Sequence, residues 1–452
     1  MAGAREAVVV SQSTHVLPLE FNRRYPVIVR GDGVWVEDAS GNRYLDAMSG
    51  GSMAATLGHG RRDIIAAAKA QAEKLAYVHN ERLTNPPQEQ LARELASLAP
   101  EGFTRVRFVT GGAEANEMAI QIARRYHVDR GESKRWQVIS PAQAYHGPTM
   151  ATLAFTGRPG LQRPFEPYMP AHPHIPPSTW RFDPSGEQAL KALDAALEAV
   201  GPDSISAYLC EPISAAALPA YSPPAHFWKG LAERRERHGF LICFDEIVTG
   251  VGRTGDWFAA QSLPIVPDII ATAKGLGAGY AAIGAVLCRQ HVYDAIANGS
   301  RKFTLGHTWD GAPLSCAVGL KVIDILKKEG LVERVRERGS KLRDELADAL
   351  KGLPLVHEVR GRGFLLGIEY VDPRDGKSFL PPELRTAGRV DDVAFEKGLI
   401  TYSTMPTRDG FAGDQTLFAP PFTSTDAELA EMVERYATSV RQVAKELETK
   451  LA

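Results

Sequence analysis

PDIIATAKGLGAGY, residues 267–280, is a short apolar run that ends at Lys274 and continues into three glycines. Two earlier segments have the same form, since ISAYLC runs into Glu211 and FLICF runs into Asp245. Such short apolar runs are typical of buried strands, and ligands of open parallel sheets bind outside the carboxyl ends of the strands. The sequence therefore predicts that Glu211, Asp245 and Lys274 lie at one edge of one sheet.

Lys274 and Asp245 have the chemistry of a Schiff-base site. A lysine attacks a carbonyl only when burial or a neighbouring cation lowers the pKa of its amine, and the run IIATA supplies apolar surroundings. Asp245 also follows an apolar run, so its carboxylate needs a cationic partner. The protonated ring nitrogen of pyridoxal phosphate is such a partner, and Ile247 could pack on one ring face. From its own segment alone, Lys274 could equally be a surface lysine after a strand.

Two metal-binding interpretations have little support in the sequence. Asp245 and Glu246 could form the acidic metal pair of a nucleotide hydrolase, but that site requires an upstream GxxxxGK[ST] loop, which the sequence lacks. His172 and His174 lie in a proline-rich segment with no nearby third ligand. We therefore expect no bound metal.

A phosphate site is predicted after the strand TRVRFV, residues 104–109. A glycine turn follows, and then a helix from Ala113 to about Val128. The amino terminus of a helix offers free N–H groups to an anion, and Gly112 and Ala113 lie where those groups would point. An ordinary tight turn would have the same sequence.

The bulk composition excludes several classes of protein. With 452 residues, 44% hydrophobic and 23% charged side chains, the chain resembles a globular protein with a sizeable core. A net charge of −2 gives no indication of nucleic-acid binding. The four cysteines have irregular spacing, and neither a signal peptide nor a membrane span is recognisable. We expect a cytoplasmic enzyme with neither nucleic acid nor membrane as a partner.

The order of predicted elements indicates an α/β fold with three parts. Residues 34–37 and 43–46 form a hairpin, since a Ser-Gly-Asn turn separates two alternating runs. The middle of the chain alternates strands and helices, which favours a mostly parallel sheet. We predict an N-terminal segment at the active-site entrance (1–60), a large cofactor-binding domain (61–329) and a small α+β domain (330–452).

Seven stretches together resemble the class III aminotransferases, which are fold type I pyridoxal-phosphate enzymes. They are TGGAEANEMA (110–119), AYHGPTMAT (144–152), CEPI (210–213), FDEIVTGVGRTG (244–255), PDIIATAKGLGAGY (267–280), GHTWDGAPLSCA (306–317) and APPFTSTDAEL (419–429). Their order and spacing fit the family from about Gly31 to the last helix. The resemblance implies a large domain with a mostly parallel sheet, a small α+β domain and pyridoxal 5'-phosphate as cofactor. It also implies a homodimer, or a tetramer, whose active site is shared between subunits.

The resemblance implies roles for individual residues. Lys274 would carry the cofactor and move the proton, and Asp245 would hold the ring nitrogen. Thr308 would reach the phosphate bound by the neighbouring subunit. The predicted cofactor contacts are Gly112, Ala113, Tyr145 as the stacking ring, His146 beside it, Asp245, Ile247, Lys274 and Thr308.

The substrate is less well defined by the sequence. The stretch GLITYSTMPTRDGFAGDQTLFAPPF (398–422) resembles ω-amino acid or amine:pyruvate aminotransferases, which transfer an amino group from an ω-amino acid or primary amine to a keto acid. By the same resemblance, Glu211 lies near the substrate entrance and pairs with a mobile arginine. Arg408 is the candidate for this mobile arginine. It could equally be an ordinary exposed arginine of a loop. Ser52 and Met53 are predicted to line the pocket.

Departures from the family pattern and alternative functions remain. Gly111-Gly112-Ala113 replaces a usual Ser-Gly-Ser or Ser-Gly-Thr, so a hydroxyl contact to phosphate is missing, and Ala312 replaces a common His.

A decarboxylase of dialkylglycines and an aminomutase share the scaffold. A non-catalytic regulator of this type would need a DNA-binding domain, and about 30 residues before the hairpin are too few for a domain of about 50.

Overall fold

The computed structural model describes residues 8–10, 14–21, 23–404, 411 and 413–451. Within them the helices are α1 (Arg62–Lys74), α2 (Pro86–Leu98), α3 (Gly112–Asp129), α4 (Met150–Phe155), α5 (Pro159–Gln162), α6 (Glu187–Val200), α7 (Ala225–His238), α8 (Gln290–Asn298), α9 (Pro313–Lys328), α10 (Leu331–Leu350), α11 (Thr386–Glu396) and α12 (Asp426–Leu451). The strands are β1 (Val8–Val10), β2 (Arg24–Pro26), β3 (Ile28–Asp32), β4 (Trp35–Asp38), β5 (Arg43–Asp46), β6 (Phe103–Val109), β7 (Gln137–Pro141), β8 (His174–Ile175), β9 (Ile205–Cys210), β10 (Leu241–Asp245), β11 (Ile269–Thr272), β12 (Gly284–Arg289), β13 (Val356–Arg362), β14 (Leu365–Tyr370), β15 (Leu399–Ile400), β16 (Tyr402–Thr404) and β17 (Gln415–Phe418).

A seven-stranded sheet forms the centre of the molecule, in the order β6-β12-β11-β10-β9-β7-β8. The pairings from β11 through β10, β9 and β7 to β8 are parallel. Only β12 runs antiparallel to its two neighbours, β11 and β6. The prediction of an α/β fold with a mostly parallel sheet is therefore confirmed.

Both faces of this sheet are covered, which explains why its strands are continuously apolar. Successive side chains of a strand point to opposite faces. On β10, Ile242 and Phe244 join one core with Leu95 of α2, while Leu241 and Cys243 join a second core with Ile122 of α3. Each strand thus buries both sets of side chains. A side chain can therefore reach the edge of the sheet only at the carboxyl end of its strand or just after it.

The strand register brings the predicted residues to the same edge. Asp245, the last residue of β10, is opposite Ala271 on β11, three residues before Lys274. Phe244 is opposite Cys210 on β9, so Glu211 follows at the same level. On the far side of the sheet, Gly284 of β12 pairs with Val109 of β6.

Besides a two-stranded sheet of β1 and β2, two four-stranded sheets lie outside the central one. The first has the order β13-β14-β17-β16 and is antiparallel. The second has the order β15-β5-β4-β3 and contains the predicted hairpin as β4 and β5. Because β15 pairs with β5, this sheet joins the N-terminal segment to the C-terminal part of the chain. The domain bounds at residues 60 and 329 stay a prediction.

The proline-rich segment 157–186 contains short regular elements. They are α5, a 3-10 helix at Arg163–Tyr168 and strand β8. Proline is compatible with these short elements, since it sits in the first turn of both helices. The glycine-rich passage 49–60 starts irregularly, since Gly50, Gly51 and Ser52 have non-helical backbone angles. No helix among the described residues has the length and apolar character needed to cross a membrane.

Candidate active site

The carboxyl ends of the central strands surround a cavity of about 320 Å³. Eight of the predicted site residues line it: Gly112, Ala113, Tyr145, His146, Glu211, Asp245, Ile247 and Lys274. They come from five different strand ends, so the sheet topology alone brings them together. The expected convergence of the three charged residues is therefore present in the structure.

Asp245 is buried, with only 5% of its surface exposed, and its carboxylate is held from two sides. Asn116 Nδ2 donates to Oδ2 at 2.7 Å, and His146 Nδ1 lies 2.8 Å from the same oxygen. The backbone N–H of Ile247 donates to Oδ1 at 3.1 Å. A buried carboxylate with this support has a defined orientation, and it can hold a cationic ring nitrogen in the cavity.

Lys274 is the first residue of a 3-10 turn that ends at Leu276. Its φ of +35° lies in the left-handed region, which costs a non-glycine residue backbone strain. Burial lowers the pKa of the Lys274 amine, while the charges of Asp245 and Glu211 partly oppose this effect. A lowered pKa increases the fraction of neutral amine, which is the nucleophilic form.

The glycines after Lys274 allow the chain to approach itself closely. A Cβ at Gly277 would lie 2.1 Å from the carbonyl oxygen of Ala281, and one at Gly279 would lie 3.3 Å from Ala55 Cα. Gly279 also has a φ of +81°. At Gly275 the nearest atom would be 3.4 Å away, an ordinary contact. Gly277 and Gly279 thus make room for the protein's own backbone.

The start of α3 forms one end of the cavity. Among the described residues, no side chain caps this helix. Its start, Gly111 to Ala113, lines the cavity and brings the first backbone N–H groups and the positive end of the helix dipole to it. A Cβ at Gly111 would have nothing within 4 Å, whereas one at Gly112 would lie 2.9 Å from Ile247 Cδ1. The missing side chain at Gly112 therefore allows Ile247 to pack directly against the helix start.

The residues present fit pyridoxal phosphate. The cavity combines an uncapped helix start for the phosphate, a buried carboxylate at Asp245 for the ring nitrogen and the amine of Lys274 for the aldehyde. Ile247 and Tyr145 offer an apolar and an aromatic surface for the two ring faces. Burial raises the pKa of the Tyr145 phenol, so this ring is neutral at physiological pH.

Glu211 lies in the wall of the same cavity. The backbone N–H groups of Ala215 and Tyr145 donate to its two carboxylate oxygens at 2.9 and 3.3 Å. Burial raises the pKa of Glu211 to about 7, and the charge of Asp245 adds to this shift. The position of Glu211 near the substrate entrance stays a prediction, and the structure places it in the cavity lining, where the charge of Asp245 acts on it. Its predicted partner Arg408 lies outside the described residues.

Three other predicted residues do not line the cavity of the single chain. Ser52 is exposed, and Met53 is buried in a separate apolar cluster with Met48 and Leu417. Their neighbour Ala54 lines the cavity instead, because the left-handed residues Gly50 and Gly51 turn the chain before it. Thr308 is exposed at the surface, as a residue that serves another subunit would be.

Asn116 was missed by sequence reasoning, although a signal was available. It follows Gly112 by four residues in α3, so it lies on the same helix face one turn later. Its amide donates to Asp245 and, at 2.9 Å, to the carbonyl oxygen of His146. Ala216, Ala281 and Ala282, which also line the cavity, have no chemical signal in the sequence.

Glu246 does not form a metal pair with Asp245. It is fully buried on the other side of the chain and accepts the N–H groups of Ala259 and Ala260 at 2.7 and 2.9 Å. Burial raises the pKa of Glu246 to about 7. Its role is to cap a short helical turn. No cluster of potential metal ligands occurs in the part of the chain that the structure describes.

Comparison with known proteins gives a consistent family. The model of the aminotransferase class-III family matches residues 21–440. A putrescine–pyruvate aminotransferase of Pseudomonas aeruginosa is 29% identical, over 96% of this chain and 95% of its own length. The structure of an (S)-enantioselective omega-transaminase from Thermomicrobium roseum is 34% identical and has a TM-score of 0.88, covering 96% of this chain and 98% of that one. An omega-transaminase of Pseudomonas jessenii, solved in complex with PMP, is 30% identical with a TM-score of 0.86 and covers 93% of both chains.

Proposed function

The chain belongs to the class-III aminotransferase family of pyridoxal-phosphate enzymes, and from this premise we propose that it transfers an amino group from an ω-amino acid or primary amine to a keto acid such as pyruvate. One observation carries the proposal: the Lys274 amine, the Asp245 carboxylate and the uncapped start of α3 line one cavity. The omega-transaminases and the putrescine–pyruvate enzyme among its relatives support this substrate class.

Each part of the cavity has a task in this reaction. Bound pyridoxal phosphate supplies an electron sink when the donor's C–H bond breaks. Asp245 stabilises the positive charge at the ring nitrogen, and the N–H groups of Gly112 and Ala113 bind the phosphate. Tyr145 and Ile247 hold the ring between them.

Proton transfer is assigned to Lys274. It is the only lysine among the described residues that line the cavity, and burial lowers the pKa of its amine, which increases the fraction of neutral amine available as a base. Its Nζ would take the proton from the donor carbon and pass it to the C4′ carbon of the bound cofactor. The Lys274 side chain extends from a turn with a left-handed backbone conformation next to the sheet edge. The backbone would stay in this turn while the Nζ end of the side chain moves.

The remaining wall favours an organic chain without bulky polar groups. Ala54, Ala216, Val248 and Ala282 contribute small apolar surfaces, with Glu211 as the acidic group among them. Such a wall suits the alkyl or aryl portion of an amine, and an acid suits its ammonium group before the amine is deprotonated. The distal carboxylate of an ω-amino acid would be bound by Arg408.

We further propose a homodimer in the cytoplasm. Thr308, which would contact the phosphate of the other subunit, is exposed together with the large side chains of Leu305 and Trp309. All four cysteines are unpaired and buried, which is compatible with a reducing compartment.

The test is a pair of half-reactions on the purified holoenzyme. A primary amine or ω-amino acid should bleach the visible absorbance of the bound cofactor, and pyruvate should restore it. Lys274→Ala should abolish the cycle, while Lys191→Ala, at a 73% exposed side chain, should leave it unchanged. Carbon dioxide release from a dialkylglycine, or rearrangement of an amino acid without any acceptor, would instead establish the decarboxylase or aminomutase alternative.

A further inference from the structure

The segment from Phe303 to Asp310, here called the Thr308 segment, connects α8 to α9 and carries exposed apolar side chains. Leu305 is 48% exposed and Trp309 is 55% exposed. Thr308 between them is also exposed. A connecting segment of this kind would ordinarily sample several conformations.

A single guanidinium group holds the Thr308 segment at three points. Arg107 of β6 donates from Nη2 to the carbonyl oxygen of Leu305 at 3.0 Å. The same nitrogen lies 2.5 Å from Asp310 Oδ2. The Arg107 guanidinium also lies over the ring of Phe303, at 5.6 Å from its centroid. The beginning, the middle and the end of the segment thus contact one side chain.

The backbone of the segment is shaped to fit this contact. A Cβ at Gly306 would lie 2.5 Å from Arg107 Nη2, so any larger residue would displace the guanidinium. Asp310 is 3% exposed in its side chain, and it has Arg107 as its ion-pair partner. A buried carboxylate without that partner would destabilise the folded state, so the position of Asp310 depends on Arg107.

Further contacts connect the segment to the phosphate end of the cavity. His307 Nε2 lies 3.5 Å from Glu114 Oε2 in the first turn of α3. The same carboxylate accepts the backbone N–H of Thr110 at 2.8 Å. On the other side, the ring of Trp309 contacts Tyr77 edge-on at 5.6 Å. Arg107 itself is three residues before Thr110, so one strand leads both to the cavity and to the segment.

We propose that Arg107 and Asp310 are a positioning pair that holds the Thr308 segment in the shape with which Thr308 reaches the cofactor phosphate of a second copy of this chain. The inference rests on the proposed cofactor site and homodimer. Arg107 does not itself contact the cofactor. Its contribution is to keep Thr308 presented before the two subunits meet, so that no ordering of the segment is required when the phosphate binds.

The test is a double-mutant cycle on the affinity of the apo-dimer for pyridoxal phosphate. Thr308→Ala should raise the dissociation constant about tenfold or more, the usual effect of losing a hydrogen bond to a charged group. Arg107→Met should raise it by a similar factor in the wild-type background and have little further effect in Thr308→Ala. Arg105→Met is the matched control, since Arg105 is exposed on the same strand and its guanidinium contacts Tyr293 instead.

Additive effects of Arg107→Met and Thr308→Ala would overturn the proposal, because they would show a general structural role. So would equal losses in Arg107→Met and Arg105→Met. If Arg107→Met does not fold, Asp310→Asn with Thr308→Ala completes the same cycle, and it should again be non-additive. An unchanged affinity in Thr308→Ala, in an enzyme whose amine half-reaction is intact, would refute the positioning pair and leave the proposed function standing. Loss of the wild-type half-reaction would refute the function itself.

Discussion

Replacing Gly112 by Ala should weaken cofactor binding by pushing Ile247 toward the ring. A Cβ at position 112 would lie 2.9 Å from Ile247 Cδ1, 3.0 Å from Cγ2 and 3.2 Å from Cγ1. Because all three atoms belong to one side chain, rotation of its terminal methyl group does not relieve the contact. The whole side chain must move, and it lines the cavity into which it would move.

The magnitude follows from this crowding. Overpacking by one methyl group in a packed site typically costs about 1–3 kcal/mol. Without the cofactor, Ile247 has room to shift, so the cost arises mainly when the ring binds. The dissociation constant of pyridoxal phosphate should therefore rise about 5- to 150-fold. The stability of the apo-protein should hardly change, since alanine is favourable in a helix.

The assay is a titration of apo-protein with pyridoxal phosphate, followed by absorbance and by protein fluorescence. Gly160→Ala is the matched control: it lies outside the cavity lining, its Cβ would have no atom within 4 Å, and its φ is not in the left-handed region. Gly112→Ala with Ile247→Val should recover part of the affinity, because valine lacks the Cδ1 that makes the shortest contact. Equal affinities of Gly112→Ala and Gly160→Ala would refute the reasoning.

Three further variants test the site and its surroundings. Lys274→Ala should reduce turnover by about 10²–10⁴-fold or more through loss of the general base, and turnover near the wild-type rate in steady-state assays would exclude Lys274 from proton transfer. Asn116→Ala removes a 2.7 Å hydrogen bond to the Asp245 carboxylate and should lower the free energy of unfolding of the apo-protein by about 1.5–3 kcal/mol in urea; an unchanged value would mean that the bond contributes nothing. Burial raises the pKa of Asp391 from its ordinary value of 3.8 to about 6. Between these pH values the folded state therefore binds more protons than the unfolded state, so the free energy of unfolding of the wild type falls as pH rises from 3.8 to 6. Asp391→Asn should remove that fall, matching wild type below pH 3.8 and exceeding it above pH 6, and parallel urea midpoints of the two proteins across this range would contradict the assignment.

The central sheet was predictable because its strands are short, apolar and separated by helices. Those features made the parallel order the favoured arrangement, and β9, β10 and β11 occupy it. The antiparallel direction of β12 was not predictable, since a buried apolar strand of this kind is compatible with a parallel or an antiparallel neighbour. The helical turns in segment 157–186 were missed for a related reason. These turns contact α4, and β8 pairs with β7, so both depend on contacts with other elements of the chain, which local sequence does not encode.

Within the site, residues with distinctive chemistry were predictable and residues with ordinary chemistry were not. Lys274 and Asp245 follow strands directly, so the fold determines where they lie. Ala54 lines the cavity only because Gly50 and Gly51 adopt left-handed conformations upstream, and a neighbouring choice such as Met53 was equally reasonable from the sequence. Glu246 illustrates the same limit, since two adjacent carboxylates point to opposite sides of one strand end.

The charges in the cavity depend on one another, and this decides what Glu211 can do. Burial is the main cause of the raised pKa of Glu211, which lies at about 7, and the charge of Asp245 raises it further while that of His146 opposes the shift. A positive ring nitrogen placed at Asp245 would cancel most of the repulsion from Asp245 and lower the pKa of Glu211 in part, since burial, the larger cause, would stay. In the proposed function, a larger fraction of Glu211 would then be a carboxylate, which would favour attraction of the ammonium group of an amine donor. The two acids at neighbouring strand ends would therefore have different tasks, because the charge next to Asp245 influences the charge of Glu211.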